Sequence, residues 1–219
     1  MFLDTANINE INQCFKTGVF KGITTNPTLL LKEKKDRFKQ IDELLKTPAE
    51  LLFLQLVGTT VHERYDDYKR LKAIVTDKQL GYKIPIDLVG LELIKKIKAD
   101  NSSEMILGTA IYSADQAILA GLAGCDYVAP YVNRMENNNI DAYKEIEAMR
   151  EFYYRRKLPC KILAASFKNT SQVIRALNAG AHTCTIPTDI FMTMINKGLA
   201  TEAIKVFNED GEKLNAVFL

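Results

Sequence analysis

Short apolar runs rich in β-branched and aromatic residues alternate along the chain with longer segments in which apolar residues recur at helical spacing. These runs predict strands at 2–5, 21–25, 51–57, 80–86, 105–111, 127–132, 161–167 and 183–187. After the third run, one helical face carries Val61, Tyr65, Tyr68, Leu71 and Val75. The order of strand, polar turn and helix therefore repeats along the chain.

The ends of the helical segments carry their own signals. Thr60 and Glu63 have the spacing of a capping box at the start of one helix, and Ser113 and Gln116 have it at the start of another. Several helical segments end in a glycine shortly before the next strand, at Gly18, Gly124 and Gly180. These signals predict regular strand and helix units with short connections.

Eight such units without a long linker favour one closed (β/α)8 TIM barrel over an open doubly wound sheet. We therefore expect residues 1–219 to form a single α/β domain. The stretch 201–219 follows the eighth unit and is expected to form an extra C-terminal helix and tail, packed on the barrel or on another subunit. Its apolar end, "AVFL", favours contact between subunits.

The composition narrows the class of protein. The chain has 219 residues, 47% of them hydrophobic, which is enough to bury a sizeable core. A net charge of +2, with both signs interspersed, gives no footprint for nucleic acid or an anionic membrane. The longest apolar runs are far shorter than the roughly 20 residues of a membrane span, and "MFLDTANINE" lacks a signal-like segment. We expect a cytoplasmic protein that binds neither nucleic acid nor membrane.

The sequence predicts no metal and no cofactor. The cysteines lie far apart without a CxxC pair, so we expect reduced and packed thiols at Cys14, Cys125, Cys160 and Cys184. His62 is expected at the surface, and His182 follows a helix-ending glycine; the two form no HxH or HExxH pattern. Neither GxGxxG nor GxxxxGK[ST] is present, so nicotinamide and nucleoside triphosphate sites have little support.

Seven of the eight predicted strands carry a polar residue near the end, where a TIM barrel holds its chemistry. The candidates are Asp4, Thr25, Asn26, Gln55, Lys83, Thr109, Tyr131, Arg134 and Ser166. Any one of them could be a polar group satisfied within the core. An accidental array would be costly, because a buried polar group without a partner costs about 1–3 kcal/mol. We therefore predict one shared site.

Lys83 is the most unusual of these candidates, because "KIPID" places a lysine among apolar neighbours in a strand. It could extend to solvent at the strand end, or pair with a buried acid such as Asp4. It could also form a Schiff base, since burial disfavours an ammonium ion and a neutral amine attacks carbonyls. The chain has no histidine pair to hold a metal, so an imine would be the obvious electron sink for carbonyl chemistry.

Several segments resemble the small-barrel transaldolase family, and most closely its fructose-6-phosphate aldolase branch. They are "GITTNPTLL" (22–30), "KIP" (83–85), "LGTAIYSADQAILAGLAGCDYVAPYVNRM" (107–135), "ILAASFKN" (162–169) and "TIP" (185–187). The match runs in order from Met1 to about residue 210. It fades in "NEDGEKL", where Gly211 stands at a place where relatives commonly carry tryptophan.

The resemblance implies a role for each candidate. Lys83 matches the Schiff-base lysine of the family. The residues that hold the hydroxyl groups of the bound ketose fragment match Asp4 and Asn26, with Thr25 beside them. From the residues alone, Asn26 could equally be a helix cap. The residues that hold a catalytic water near the imine match Gln55, Thr109 and Tyr131.

A phosphate site is implied by the same resemblance. Arg134 and Ser166 match the pair that binds the substrate phosphate, and a guanidinium with a hydroxyl suits a phosphate dianion. Lys168 is a possible helper, although a solvated loop lysine is the simpler interpretation. Relatives form pentameric rings that stack into decamers, so the resemblance implies a homo-oligomer of this kind.

Two positions distinguish the branches of the family. Gln55 and Tyr131 match the aldolase branch, whereas transaldolases typically place glutamate and phenylalanine there. A phenol can pass a proton to an enamine or orient water, and a phenyl ring cannot. The resemblance thus implies a metal-independent class I aldolase that acts on sugar phosphates and small hydroxyketones, and cleaves fructose 6-phosphate to dihydroxyacetone and glyceraldehyde 3-phosphate. A transaldolase of the pentose phosphate pathway and a non-catalytic sugar-phosphate-binding barrel remain as alternatives.

Overall fold

Parallel strands close into a barrel in the computed structural model, which describes residues 1–74 and 79–217. The strands are β1 Phe2–Asp4, β2 Gly22–Thr24, β3 Leu51–Gln55, β4 Gln79–Pro85, β5 Met105–Ile111, β6 Tyr127–Pro130, β7 Lys161–Ala164 and β8 Thr183–Ile186. Each strand pairs with its sequence neighbours, and β8 pairs with β1. The predicted (β/α)8 TIM barrel is confirmed.

Helices follow the strands on the outside of the barrel. They are α1 Ile8–Phe15, α2 Pro27–Lys32, α3 Arg37–Leu45, α4 Val61–Ile74, α5 Leu88–Asp100, α6 Ala114–Ala123, α7 Val132–Glu136, α8 Ala142–Arg156, α9 Thr170–Asn178, α10 Thr188–Ile195 and α11 Gly198–Val217. Among the described residues, no helix is both long enough and apolar enough to cross a membrane.

Several strands end earlier than predicted. β6 stops at Pro130 and β7 at Ala164, so the predicted ends at 132 and 167 were wrong. Tyr131 still forms an isolated β-bridge with Ala165, just after β7, and the Val132 N–H donates to the Ala165 carbonyl at 2.9 Å. The backbone nevertheless turns into α7 at this point, because Tyr131 is its N-cap residue.

Aromatic rings fill the lower half of the barrel, which is the half nearer the amino-terminal ends of the strands. Phe2, Phe53 and Tyr127 contact one another with ring centroids 5.6–6.3 Å apart. Glycines make room for two of these rings: a Cβ on Gly22 would lie 2.6 Å from Phe2 Cε1, and one on Gly81 would lie 2.3 Å from Phe53 Cε1. The lower barrel is therefore closed by packing, and the space for a ligand inside the barrel lies at the carboxyl ends of the strands.

One of the two predicted capping boxes is confirmed. The Glu63 N–H donates to Thr60 Oγ1, and the Thr60 N–H donates to Glu63 Oε2, both at 3.2 Å. The second box was wrong, because Ser113 occupies the N-cap of α6 without a side-chain cap bond. The Gln116 N–H instead meets Asp115 Oδ1 at 2.9 Å, and the Gln116 carboxamide bonds elsewhere.

The predicted inner face of α4 packs as expected. Tyr68 and Leu71 are buried, Val61 and Tyr65 are half-buried against the same core, and Val75 lies outside the described residues. The predicted glycine stops are also present, since Gly124 and Gly180 have φ of 108° and 103°, which favours glycine. The thiols are free and buried, as predicted, at Cys14, Cys125, Cys160 and Cys184.

The C-terminal helix α11 stands apart from the barrel core. A helix was predicted over 201–219, and α11 covers that range as far as Val217, with 218 and 219 outside the described residues. None of its residues in the described range 198–217 is buried. Its large apolar side chains are more than half exposed, at Leu199, Ile204, Val206, Phe207, Leu214 and Val217. Packing on the barrel, one of the two predicted arrangements, therefore does not cover this helix.

Candidate active site

Strand register places Lys83 inside the barrel. Gln55 on β3 is aligned with Lys83 on β4, two positions beyond the aligned pair Phe53 and Gly81. Side chains two positions apart on a strand share a face, and Phe53 belongs to the inner cluster of the barrel. Gln55 and Lys83 therefore lie side by side on the inner face, at the carboxyl ends of their strands.

The Lys83 side chain is enclosed. The residue is 4% exposed, and its Nζ donates to the Thr25 carbonyl at 3.3 Å. It therefore does not extend to solvent. Among the residues that the structure describes, no ion pair joins Lys83 to a carboxylate, and Asp4 is bonded elsewhere. The two structural alternatives for this lysine were thus wrong, and the amine remains available for chemistry.

Two buried threonines hold Asp4. The Thr24 hydroxyl lies 2.7 Å from Asp4 Oδ1 and 2.6 Å from the Thr185 hydroxyl. Because the Thr185 hydroxyl can donate to Thr24, the Thr24 hydroxyl is able to donate to the carboxylate. This chain fixes one oxygen of Asp4 at the end of β1.

Thr24 was missed from the sequence, and Thr25 was chosen in its place. Thr24 is aligned with Phe53, so it shares the inner face of the barrel. Thr25 is the next residue, and its hydroxyl is turned to the Phe53 carbonyl at 3.5 Å. It reaches the site through its carbonyl, which accepts from Lys83. The alignment with Phe53 is the observation that identifies Thr24 as the inward-facing residue.

Asn26 is the N-cap of α2. Its Oδ1 accepts the Leu29 N–H at 3.0 Å, and Pro27 follows at the first helical position. The helix-cap alternative for Asn26 is therefore confirmed. The bond fixes the Asn26 side-chain amide just after β2. It lies next to the Thr25 carbonyl, which accepts a hydrogen bond from Lys83 Nζ.

A second polar pair lies on the β5 and β6 side of the barrel. Thr109 Oγ1 and Tyr131 Oη are 2.8 Å apart, and Thr109 is fully buried. Thr109 is aligned with Pro85, two positions beyond Lys83 on β4. The two hydroxyls therefore belong to the same rim of the barrel as the lysine, and either of them can donate to the other.

Arg134 is held over the Tyr131 ring. Its guanidinium carbon lies 5.1 Å from the ring centroid, and its Nη1 donates to the Tyr112 hydroxyl at 3.3 Å. Tyr112 in turn packs edge-on against Tyr131 with centroids 5.6 Å apart. Tyr112 was not among the sequence candidates, yet it contacts both the cation and the phenol of the predicted site.

Ser166 lies on the loop next to Arg134. The Asn133 N–H donates to the Ser166 carbonyl at 2.8 Å, which joins the start of α7 to the loop after β7. Ser166 has φ of 62°, a left-handed conformation that is strained for a residue other than glycine. Lys168 follows on the same loop and is exposed, in keeping with a solvated lysine.

The histidines lie outside this constellation. His62 is exposed on α4 beside Asp66, as predicted. His182 Nδ1 accepts the Ile162 N–H at 2.9 Å at the start of β8. Burial, and then the nearby charges of Arg150 and Lys161, lower the pKa of His182 below its usual value. Neither ring contacts the predicted site residues.

Comparison with known proteins gives one consistent assignment. A family model described as Transaldolase/Fructose-6-phosphate aldolase matches residues 1–218. The chain is 36% identical over 213 residues to a protein of Streptococcus pneumoniae (strain ATCC 700669 / Spain 23F-1) named "Probable fructose-6-phosphate aldolase". That alignment covers 95% of this chain and 94% of the relative.

Proposed function

The chain belongs to the transaldolase/fructose-6-phosphate aldolase family, and from this premise we propose that it is a class I aldolase. It cleaves fructose 6-phosphate reversibly, without a metal, to dihydroxyacetone and glyceraldehyde 3-phosphate. The observation that carries the proposal is a primary amine, that of Lys83, enclosed at the rim of a barrel whose lower half is filled. The name of the pneumococcal relative supports the same substrate.

The reaction begins at the Lys83 nitrogen. Nζ attacks the C2 carbonyl of the ketose, and the carbinolamine takes up a proton and loses water to leave an iminium. Enclosure of the amine keeps bulk water from hydrolysing this imine before the next step. The Thr25 carbonyl, which accepts from Nζ at 3.3 Å, orients the amine before attack.

Asp4 accepts a proton in the cleavage step. The C3–C4 bond breaks, its electron pair moves into the iminium, and the C4 hydroxyl proton passes to the carboxylate directly or through a water. Glyceraldehyde 3-phosphate leaves and the dihydroxyacetone enamine stays on Lys83. The hydrogen bond from Thr24 holds Asp4 in one orientation, which suits a general base with a fixed target.

The hydroxyls of Thr109 and Tyr131 serve the last step. With Gln55, they hold a water that protonates the enamine at C3 and then attacks the iminium at C2. Dihydroxyacetone is released, the Lys83 amine is regenerated, and the proton that Asp4 accepted in the cleavage step returns to solvent. The 2.8 Å contact between the two hydroxyls supports this role, because each group can pass or accept a proton.

Arg134 and Ser166 bind the phosphate of the substrate. The hydrogen bond between Asn133 and Ser166 keeps their two loops together. The contacts of Arg134 with the Tyr112 hydroxyl and the Tyr131 ring fix a long side chain before the substrate arrives. A guanidinium held in this way binds a phosphate with a smaller loss of conformational entropy.

A transaldolase is the second candidate, because the family model covers both activities. Such an enzyme would keep the enamine on Lys83 until an acceptor sugar phosphate arrived. Gln55 and Tyr131 favour the aldolase, since a phenol beside Thr109 can assist hydrolysis of the adduct. The requirement for an acceptor separates the two activities.

We further propose that the enzyme is a homo-oligomer that uses α11. A helix of 20 residues with none of them buried leaves a row of apolar side chains in water. Contact with another copy would cover Leu199, Phe207 and Leu214. Sedimentation of Phe207→Lys tests this assembly: the unsubstituted protein should sediment as a pentamer or decamer and the variant as a smaller species.

Borohydride reduction in the presence of dihydroxyacetone tests the imine. Reduction should fix a covalent adduct on the peptide that contains Lys83, and mass spectrometry of the digest would locate it. Lys83→Met has a similar length and no amine, so it should fold and give no adduct. An unmodified peptide would support a non-catalytic barrel, and an adduct at another lysine would refute the role of Lys83.

A further inference from the structure

The end of β5 contains a bulge. Gly108 is aligned with Val128 on β6, but the next aligned pair is Ile111 with Pro130, so β5 uses one residue more than its neighbour. Ala110 lies within this step and has φ of 58°, in the left-handed region. A bulge with a left-handed residue re-aims the side chains that follow it.

The bulge decides which side chains reach the predicted site. Alternation along β5 would place Ile111 on the inner face with Leu107 and Thr109. Ile111 is instead fully buried in the outer core, between the strands and the helices. Tyr112 takes up contacts with Tyr131. The bulge thus keeps a large aliphatic side chain out of the site and brings a phenol to its edge.

A single side chain binds the backbone on both sides of the bulge. Gln116 Nε2 donates to the Ile86 carbonyl at 2.8 Å and to the Ala110 carbonyl at 2.9 Å. Gln116 Oε1 accepts the Tyr112 N–H at 2.9 Å. The carboxamide therefore ties the segment after β4 to the bulge of β5. Both amide hydrogens and the amide oxygen are used.

Similar side chains in other units bind other groups, and Gln172 donates its two amide hydrogens to side chains of α7. Glu63 and Gln172 occupy the same position in the first turn of α4 and α9 and accept the N–H groups of Thr59 and Lys168. Neither is seen to donate to a strand-end carbonyl within residues 1–74 and 79–217. The two donated bonds to Ile86 and Ala110 set Gln116 apart from these capping side chains.

We propose that Gln116 is a positioning residue for the hydrolytic step: it maintains the bulge at Ala110 and so places Thr109 and Tyr112 against Tyr131. This inference rests on the proposed function, since it concerns how the dihydroxyacetone adduct is hydrolysed. Gln116 acts through the backbone of β5 and does not contact the reacting atoms. Loss of its donated bonds displaces the Thr109 hydroxyl from Tyr131, while the Lys83 amine on β4 keeps its place.

Gln116→Glu is the most direct variant, with Glu63→Gln as its matched control. The first keeps the size of the side chain and the bond from Tyr112, but its carboxylate faces two carbonyls without a proton to donate. The control makes the reverse exchange at the same position of α4, away from the bulge. Gln116→Asn is a second variant that keeps the amide but is one methylene too short to reach both strands.

Three quantities should be measured on each full-length protein. The first is the yield of dihydroxyacetone adduct trapped by borohydride at Lys83. The second is the ratio of hydrolysis to transfer with erythrose 4-phosphate as acceptor. The third is the rate of hydrogen exchange at the Tyr131 amide, which donates to the Ile111 carbonyl just beyond the bulge. We expect normal trapping in both Gln116 variants, a ratio lower by about tenfold and faster exchange, because small displacements of a positioned group are costly. Lowering the pH should partly restore the ratio in Gln116→Glu, since a protonated carboxyl regains one donor.

The outcomes separate this inference from the proposed function. Normal trapping with an unchanged ratio would overturn the role of Gln116 and leave the aldolase intact. Loss of trapping in both Gln116 variants, with trapping in the control, would show that Gln116 merely supports the fold and would also overturn it. Absence of the adduct in the unsubstituted enzyme would overturn the imine chemistry itself, and the role of Gln116 with it.

Discussion

Thr109 Oγ1 and Tyr131 Oη lie 2.8 Å apart at the rim of the barrel, on neighbouring strand ends that a bulge has shifted by one residue. The Tyr131 N–H donates to the Ile111 carbonyl at 3.0 Å, so the residue that carries the phenol is fixed to the chain just beyond the bulge. Two hydroxyls in contact can hold a water and move a proton through it. This pair is where the aldolase and transaldolase interpretations diverge.

Tyr131→Phe should move the enzyme from hydrolysis toward transfer. The variant removes the phenol that helps to protonate the enamine, so dihydroxyacetone release should fall by about 10²-fold while imine formation is retained. The ratio of the two rates, with and without erythrose 4-phosphate, is the measurement. Tyr127→Phe is the control, because Tyr127 packs with Phe2 and Phe53 in the lower barrel. Equal ratios in the two variants would contradict the role of Tyr131.

Arg134→Met should impair the use of phosphorylated aldehydes selectively. Loss of a guanidinium that pairs with a phosphate costs about 1.5–3 kcal/mol, which corresponds to an increase in KM of roughly 10- to 100-fold. Synthesis from dihydroxyacetone with glyceraldehyde 3-phosphate or with glyceraldehyde provides the comparison. Only the phosphorylated aldehyde should be affected. A similar loss with both aldehydes would mean that Arg134 acts through its contact with the Tyr131 ring.

Asp67→Asn should destabilise the fold strongly. Asp67 is fully buried, bonds Arg37 at 2.7 and 2.8 Å, and accepts the Val57 N–H at 3.0 Å. Removing the carboxylate leaves the partly buried Arg37 with neutral acceptors such as the Gln55 carbonyl, at a cost of about 3 kcal/mol in unfolding free energy. Urea denaturation would measure this loss. Asp42→Asn breaks an exposed pair with Lys46 and should cost less than about 1 kcal/mol.

The pair Arg64 and Asp87 should make part of the stability depend on pH. The hydrogen bonds from Arg64, at 2.8 and 2.9 Å, and then that from the Gly90 N–H, lower the pKa of Asp87 below its usual value. A carboxyl with a lowered pKa in the folded state stabilises the protein above the pKa of the unfolded chain, about 3.9. This contribution is lost as the pH falls through the lower, folded-state pKa.

Asp87→Asn tests this linkage and keeps an oxygen for the Gly90 N–H. Because the Asp87 side chain is half exposed, solvent screens the pair, and the variant should lose only about 1 kcal/mol at neutral pH. The difference from the unsubstituted protein in unfolding free energy should close below about pH 4. A difference that stayed constant down to pH 3 would show that the pair is not the cause.

Both Lys83 and the barrel could be predicted from the sequence, because both depend on the alternation of apolar strands and helices. A regular alternation of apolar runs and helices leaves few topologies, and a lysine inside an apolar strand stands out against that pattern. Thr24 could not be separated from Thr25 in this way, because a strand of three residues gives too little alternation to show which of them faces inward. The register with Phe53 resolves the two.

Gln116 shows a second limit of prediction from the sequence. Its spacing from Ser113 fits a capping box, and the sequence contains nothing that reveals the bulge at Ala110. A bulge is a relation between two strands, so it appears only when β5 is aligned with β6. The contacts of Tyr112 follow from the same shift, which is why this tyrosine was not among the candidates. Local spacing predicted the elements well, and relations between elements required the structure.

Release of glyceraldehyde 3-phosphate from fructose 6-phosphate, followed in a coupled assay with and without erythrose 4-phosphate, tests the central claim most directly. We predict sustained release by the unsubstituted enzyme without the acceptor, and a loss of more than about 10³-fold in Lys83→Met. Release that occurs only when the acceptor is present would make the protein a transaldolase, and near-normal release by Lys83→Met would contradict the imine mechanism.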